Sequence, residues 1–150
     1  MPIGGERREG PVTDDDRPMV IVDGANVVGS VPDGWWHDRH GAAERLRDAL
    51  APLAAEGLPA GGDAPPWAVG RPVEVVLVVE GAARGVAPVT GVRVERATGS
   101  GDDLIVRLAE EAHEEAPGRP CLVVTADRGL RARVAAAGAV FVGPRTVRRR

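Results

Sequence analysis

Five acidic residues, Asp23, Glu80, Asp102, Asp103 and Asp127, stand where apolar runs stop or helical patterns begin. The run MVIVD (residues 19–23) ends on an acid, and VEVVLVVE (residues 73–80) does so again. Asp102 and Asp103 follow Gly99-Ser100-Gly101 at the head of a helical pattern, and Asp127 lies two residues beyond the run CLVVT (residues 121–125). Each acid has an ordinary role when taken alone: Asp102, Asp103 and Asp127 suit helix starts, where a carboxylate meets free amides and the helix dipole. Asp23 is harder to place, because aspartate is disfavoured at the end of a buried strand without a partner. Carboxylates crowded together repel by about 4 kcal/mol per pair at an effective dielectric of about 20. A fold tolerates this when a cation, a shared proton or an arginine neutralises the group. Hard oxygen donors, without Cys and without a well-placed His, suit magnesium or manganese rather than zinc. Such an ion keeps several waters and leaves room for a phosphate and a nucleophilic water, the arrangement for phosphodiester hydrolysis.

The remaining composition narrows the chemistry. Every one of the 19 Lys/Arg cations is arginine. With no lysine, the P-loop phosphate site, Schiff-base chemistry and every mechanism that needs a catalytic lysine are excluded. The single cysteine, Cys121, excludes an internal disulfide framework and a Cys-rich zinc site, and reads as a small buried residue at the start of a strand. His37, His40 and His113 lack convergent spacing and read as solvated surface residues. Charge is uneven: residues 128–150 carry seven arginines and no acid, whereas residues 1–127 carry twelve arginines against twenty-two acids. This asymmetry suits either a polyanion-facing edge beside an acidic pocket or a solvated basic tail. The longest apolar run, residues 75–79, is far too short to cross a bilayer, and no apolar stretch follows the early basic residues. A cytoplasmic protein with no membrane partner is the expectation.

Those acids need elements to position them. The 150 residues, 43% of them hydrophobic, suit one domain. We expect a disordered leader over residues 1–17, a domain over 18–144 and a basic tail over 145–150. Strands are expected at residues 19–23, 73–80, 92–96, 121–125 and 139–142. Helices are expected around Ala43, Leu46, Leu50 and Leu53, around Leu104, Ile105, Leu108 and Ala112, and around Leu130, Val134 and Ala137. Residues 24–36 read as turn-rich, and the Gly/Pro-rich residues 56–72 as a loop that is either a functional flap or mobile. Alternating strands and helices predict an α/β fold with three layers, α/β/α, around a mainly parallel central sheet of about five strands. Crossovers then bring every loop that carries an acid to the carboxyl edge of the sheet, where ligands of open sheets bind.

Three segments carry a family resemblance: Asp23-Gly-Ala-Asn26-Val after an apolar strand, Gly99-Ser-Gly-Asp-Asp-Leu-Ile105, and Val123-Val-Thr-Ala-Asp127-Arg128. In this order they resemble the NYN (YacP-like) branch of the PIN-like metal-dependent ribonuclease superfamily, over about residues 19–143. The resemblance implies a PIN-like fold, a divalent-metal site holding Mg2+ or Mn2+, and endonucleolytic cleavage of RNA. Carried over by position, Asp23, Asp102 and Asp127 would be the catalytic acids and metal ligands. Asp103 would be a further ligand, an outer support or a helix cap. Glu80 occupies a place where the family often has aspartate, and would reach the metal, hold a water or pair with an arginine. Asn26 would orient a ligand or contact phosphate, with a turn residue as its plain alternative. Thr125 and Arg128 would tune the site or hold phosphate.

Arginine meets phosphate bidentately, and Arg84, Arg128 and Arg131 are the expected substrate contacts, with simple solvation as the alternative. Arg148, Arg149 and Arg150 read as a solvated tail. Trp35 and Trp36 suit either stacking on an unpaired base or a hydrophobic cover over the first helix, and the cover is expected for at least one of them. Trp67 is expected to anchor its Pro-rich loop. The expected partner is RNA, with ribosome association and a homodimer as further options. Two rival functions use the same acids: a phosphohydrolase of nucleotides or small phosphate esters, and an RNA- or ribosome-binding module without turnover. A haloacid-dehalogenase-like phosphatase is disfavoured, because Ala25 fills the place of its second aspartate and lysine is absent.

Overall fold

In a computed structural model that describes residues 17–148, the five apolar runs form five parallel strands. They are β1 (Met19–Asp23), β2 (Glu74–Val79), β3 (Val92–Arg96), β4 (Cys121–Val124) and β5 (Val140–Val142), in the order β3-β2-β1-β4-β5. The helices are α1 (Gly24–Gly29), α2 (Arg39–Leu50), α3 (Leu53–Glu56), α4 (Gly101–Glu115) and α5 (Arg128–Ala136).

Successive residues of the central strands point to opposite sides. Val20, Val22, Leu77 and Leu122 pack with α1, α2 and α3, whereas Ile21, Val76, Val78 and Val123 pack with α4 and α5. Both faces are therefore covered, which is why β1, β2 and β4 read as continuous apolar runs rather than alternating ones. The expected three-layer α/β/α architecture is observed, with a wholly parallel sheet. The chain runs outward from β1 to β2 and β3, then crosses to the other side of β1 to form β4 and β5. Strand order thus reverses between β1 and β4, and a crevice opens there at the carboxyl ends.

Several details differ from the sequence expectation. The stretch read as turn-rich begins with α1, a helix too short to show a 3.6-residue period. Its start is fixed by the Asp23 carboxylate, and it buries Val27 and Val28. Pro52 ends α2 as expected, but Leu53 belongs to the separate α3 rather than to the face of α2. The loop over residues 56–72 is anchored on the body: Leu58 and Ala68 are buried, Leu58 bridges Val69, and Trp67 packs on the core as expected.

The expected boundary at residue 144 falls inside the fold, because Pro144 and Thr146 are buried. Arg148 is no solvated tail residue: it donates to the carbonyls of Val27 and Val28 at the end of α1 and pairs with Asp33. Arg17 likewise belongs to the fold, its carbonyl accepting from Arg119. The rest of the leader, together with Arg149 and Arg150, lies outside the described residues. Among the described residues, no helix is long and apolar enough to cross a membrane.

Candidate functional site

Asp23, the last residue of β1, sits at the mouth of the crevice and is only 4% exposed. Its Oδ2 accepts the Thr125 hydroxyl at 2.9 Å, and its Oδ1 accepts the Asn26 backbone N–H at 3.4 Å. Thr125 follows β4 directly, so the first of these bonds spans the point where strand order reverses. The same hydroxyl oxygen accepts the Asp127 backbone N–H at 3.1 Å. From α1, the Asn26 side-chain oxygen accepts the Ala126 N–H at 2.8 Å and ties α1 to the loop after β4. Asn26 is therefore more than a turn residue. Burial pushes the Asp23 carboxyl up to about 6; the bonds from Thr125 and Asn26 pull it down, and the Asp102 and Glu80 carboxylates push it up again.

The other acids approach from three further segments. Asp102, half-buried in the first turn of α4, is held above the ordinary carboxylate range by partial burial and then by repulsion from Asp127 and Glu80, against the pull of Arg133. Glu80 lies just past β2, with Oε2 so close to Gly101 that a Cβ there would stand 2.6 Å away. Asp127 is exposed, and its Oδ1 caps α5 by accepting the Leu130 N–H at 2.9 Å. It thus fills the ordinary helix-start role while still facing Asp102. The structure brings these four carboxylates to one rim.

Asp103 departs from the expectation. It points to Arg133 at 2.9 Å and is mostly exposed, while Ser100 caps α4 in its place. The next residue along a helix turns about 100° away, so Asp102 and Asp103 cannot both face the crevice. Thr125, expected to tune the site or hold phosphate, is fully buried with its hydroxyl committed to Asp23 and Asp127, which leaves it in contact with the acids and away from the surface where phosphate would lie. Arg131 is held by the Thr125 carbonyl at 2.9 Å and lies over the Phe141 ring, so it braces α5 against β4 and β5. Arg84 is exposed beside Glu80, with its Nε on the Gly81 carbonyl at 3.3 Å. Arg128 is exposed next to Asp127, and among the described residues nothing engages its guanidinium. Sequence reasoning missed Arg133, because its acidic partner lies thirty residues away and no local spacing announces the pair.

All the side-chain donors at the rim are hard oxygens, which fits magnesium or manganese. Among the described residues, no three acids stand close enough to share one ion directly. Magnesium takes only one or two protein carboxylates and keeps water for the rest of its shell, so the donor set still suits it. Asp23 and Asp102 would hold the ion, with Glu80 and Asp127 beside them. A buried carboxylate flanked by others, its proton affinity raised, is the electrostatic condition that a cation relieves.

Gly101→Ala tests Glu80. The new Cβ would meet Glu80 Oε2 at 2.6 Å and displace the end of a flexible side chain. Stability is expected to change by less than about 1 kcal/mol, since alanine favours the helix. Manganese affinity, measured by calorimetry, is expected to fall about tenfold; unchanged affinity would remove Glu80 from the site.

A wholly parallel five-stranded sheet between two helical layers, with acids at the reversal point of strand order, defines an α/β fold of three layers. In particular, the chain is similar to a mutant of Rae1 (YacP) from Bacillus subtilis in its crystal structure, with a TM-score of 0.60 and 18% sequence identity, over 87% of this chain and 72% of that one. This is a likeness of fold. No protein-family model matches the chain, and no curated protein does.

Proposed function

We propose that this chain is a divalent-metal-dependent ribonuclease that hydrolyses RNA phosphodiester bonds at the carboxyl edge of its sheet. The observation that carries the reading is Asp23: a buried carboxylate, pushed up to about 6, at the reversal point and facing carboxylates from other segments. Support also comes from the three resembling motifs and from a fold similar to Rae1 (YacP). When bound, a divalent ion supplies an acidified water and offsets charge on the scissile phosphate. Thr125 fixes the orientation of Asp23 through Oδ2, and Asn26 holds α1 against the loop that carries Asp127. Asp127 spends Oδ1 on its cap and keeps Oδ2 to accept a proton from water. Arg128 and Arg84 bind the phosphates on either side.

An RNA-binding module without turnover is the second reading, favoured by the capping of α5 by Asp127 and by the spread of the acids. One assay separates the two. Given an end-labelled single-stranded RNA, the protein is expected to cleave it internally in magnesium or manganese, to stop in excess chelator, and to resume when the ion is restored. RNA binding without product under every condition would overturn the proposal in favour of the module. Hydrolysis of small phosphate esters with the RNA left intact would overturn it in favour of a phosphohydrolase.

A further inference from the structure

Next to the acids, a pocket of about 280 Å³ opens between α1, α2 and the turn after β2. Its walls include Val28, Val79 and Trp35, with the Arg39 guanidinium 5.3 Å from the Trp35 ring centroid. Glu80 belongs both to this pocket and to the acidic rim, and Gly24, which lines the pocket, directly follows Asp23, so the two are continuous. Trp35 packs on the core, while Trp36 meets it edge-on at 5.9 Å and is 52% exposed. The tryptophan pair thus does two jobs: Trp35 forms a pocket wall and part of the cover over α2, and Trp36 remains at the surface.

We propose that this pocket receives one unpaired base of the RNA strand whose phosphate lies at the acidic rim. The inference rests on the ribonuclease reading. Three features choose a nucleobase as the occupant. The volume, just below the usual range of ligand sites, which starts at about 300 Å³, admits one flat ring system rather than a base pair. The walls are apolar and aromatic, with a guanidinium and a carboxylate at the edges, matching an occupant with flat apolar faces and a polar perimeter. Gly24 directly follows Asp23, so base and phosphate of one nucleotide lie within reach of their respective sites. A paired base enters only after leaving its duplex, which makes the enzyme selective for single strands.

The test uses a ten-nucleotide single-stranded RNA and ten copies of it, each lacking the base at one position. Affinity for the full chain is measured in calcium, and cleavage of the intact RNA in magnesium. Removing the base at one position is expected to weaken binding roughly tenfold, with small effects elsewhere. Ala83→Phe fills the pocket from the turn after β2, and Ala25→Phe fills it from the exposed side of α1. Whichever variant keeps the wild-type circular dichroism is expected to bind intact RNA roughly tenfold more weakly, with no further loss when the sensitive base is removed. If no base matters by more than twofold, or the folded variants bind as wild type while cleavage persists, the pocket assignment is overturned and the nuclease reading survives. If the protein neither binds nor cleaves RNA, both are overturned.

Discussion

Asp23→Asn is expected to lower metal-dependent RNA cleavage roughly 1000-fold while making the metal-free protein more stable. On the proposed reading the loss of activity follows from removing the buried carboxylate that would hold the ion, a contribution of several kcal/mol, where each 1.4 kcal/mol or so is a tenfold rate change. The stability gain follows from the proton affinity of the folded state. Asp23 titrates near 3.8 when unfolded and at about 6 when folded, so folding disfavours its ionised form. For a carboxyl raised on folding, the stabilising contribution is complete below 3.8 and is lost as pH rises through about 6. At pH 7.5 the wild-type protein carries the full penalty, up to about 3 kcal/mol at roughly 1.4 kcal/mol per pKa unit. Asparagine removes the charge but presents a donor toward the Asn26 N–H, so the expected gain is about 1–2 kcal/mol. Thermal unfolding in chelator checks the sign: the variant melts higher at pH 7.5, and the difference shrinks toward pH 4. Saturating manganese reverses the order, because the ion stabilises only the protein that binds it.

Gly24→Ala is expected to be the most damaging small substitution near the site. A Cβ at residue 24 would stand 2.5 Å from the Val78 backbone carbonyl oxygen and 3.3 Å from a methyl of Leu77. A backbone oxygen in the middle of the sheet cannot step aside, so α1 has to lift away from β2. Overpacking of this kind costs about 2–3 kcal/mol, which lowers the melting temperature by roughly 5–10 °C in a chain of this size. Because Asp23 caps α1, lifting the helix also drags the carboxylate and loosens the bond that Ala126 N–H donates to the Asn26 side chain. Gly99→Ala is the control: nothing lies within 4 Å of its Cβ position, and both stability and activity are expected to stay near wild type. A Gly24→Ala protein that melts and cleaves like wild type would contradict the described seat of α1.

The layering of this fold was legible in the sequence because burial on two sides leaves an unmistakable trace. VEVVLVVE and MVIVD carry hydrophobic residues at consecutive positions, as expected of a parallel strand covered on both faces. Leu104, Ile105, Leu108 and Ala112 likewise mark the buried side of α4 by their spacing alone. Asp23 was legible for the same reason, as a charge ending an apolar strand. What the sequence hid was set by contacts between distant segments. α1 depends on a cap and two valines rather than on a periodic stripe. Asp102 and Asp103 are neighbours in the chain, and only the rotation of α4 and the position of Arg133 separate them. The burial of the Thr125 hydroxyl depends on Asp23 and Asp127 at once, a three-way relation that no local spacing encodes. Arg148 was hidden by its surroundings, since a terminal run of arginines looks the same whether or not one of them closes a helix end.

The proposed chemistry requires acids from separate segments to share a divalent ion at the reversal point of the sheet. Crystals soaked in manganese and measured for anomalous scattering test this most directly. The expected result is a peak at coordinating distance from the Asp23 carboxylate, with Asp102 a second ligand directly or through one water. Manganese peaks confined to other surfaces, or no peak at all at saturating manganese, would contradict it.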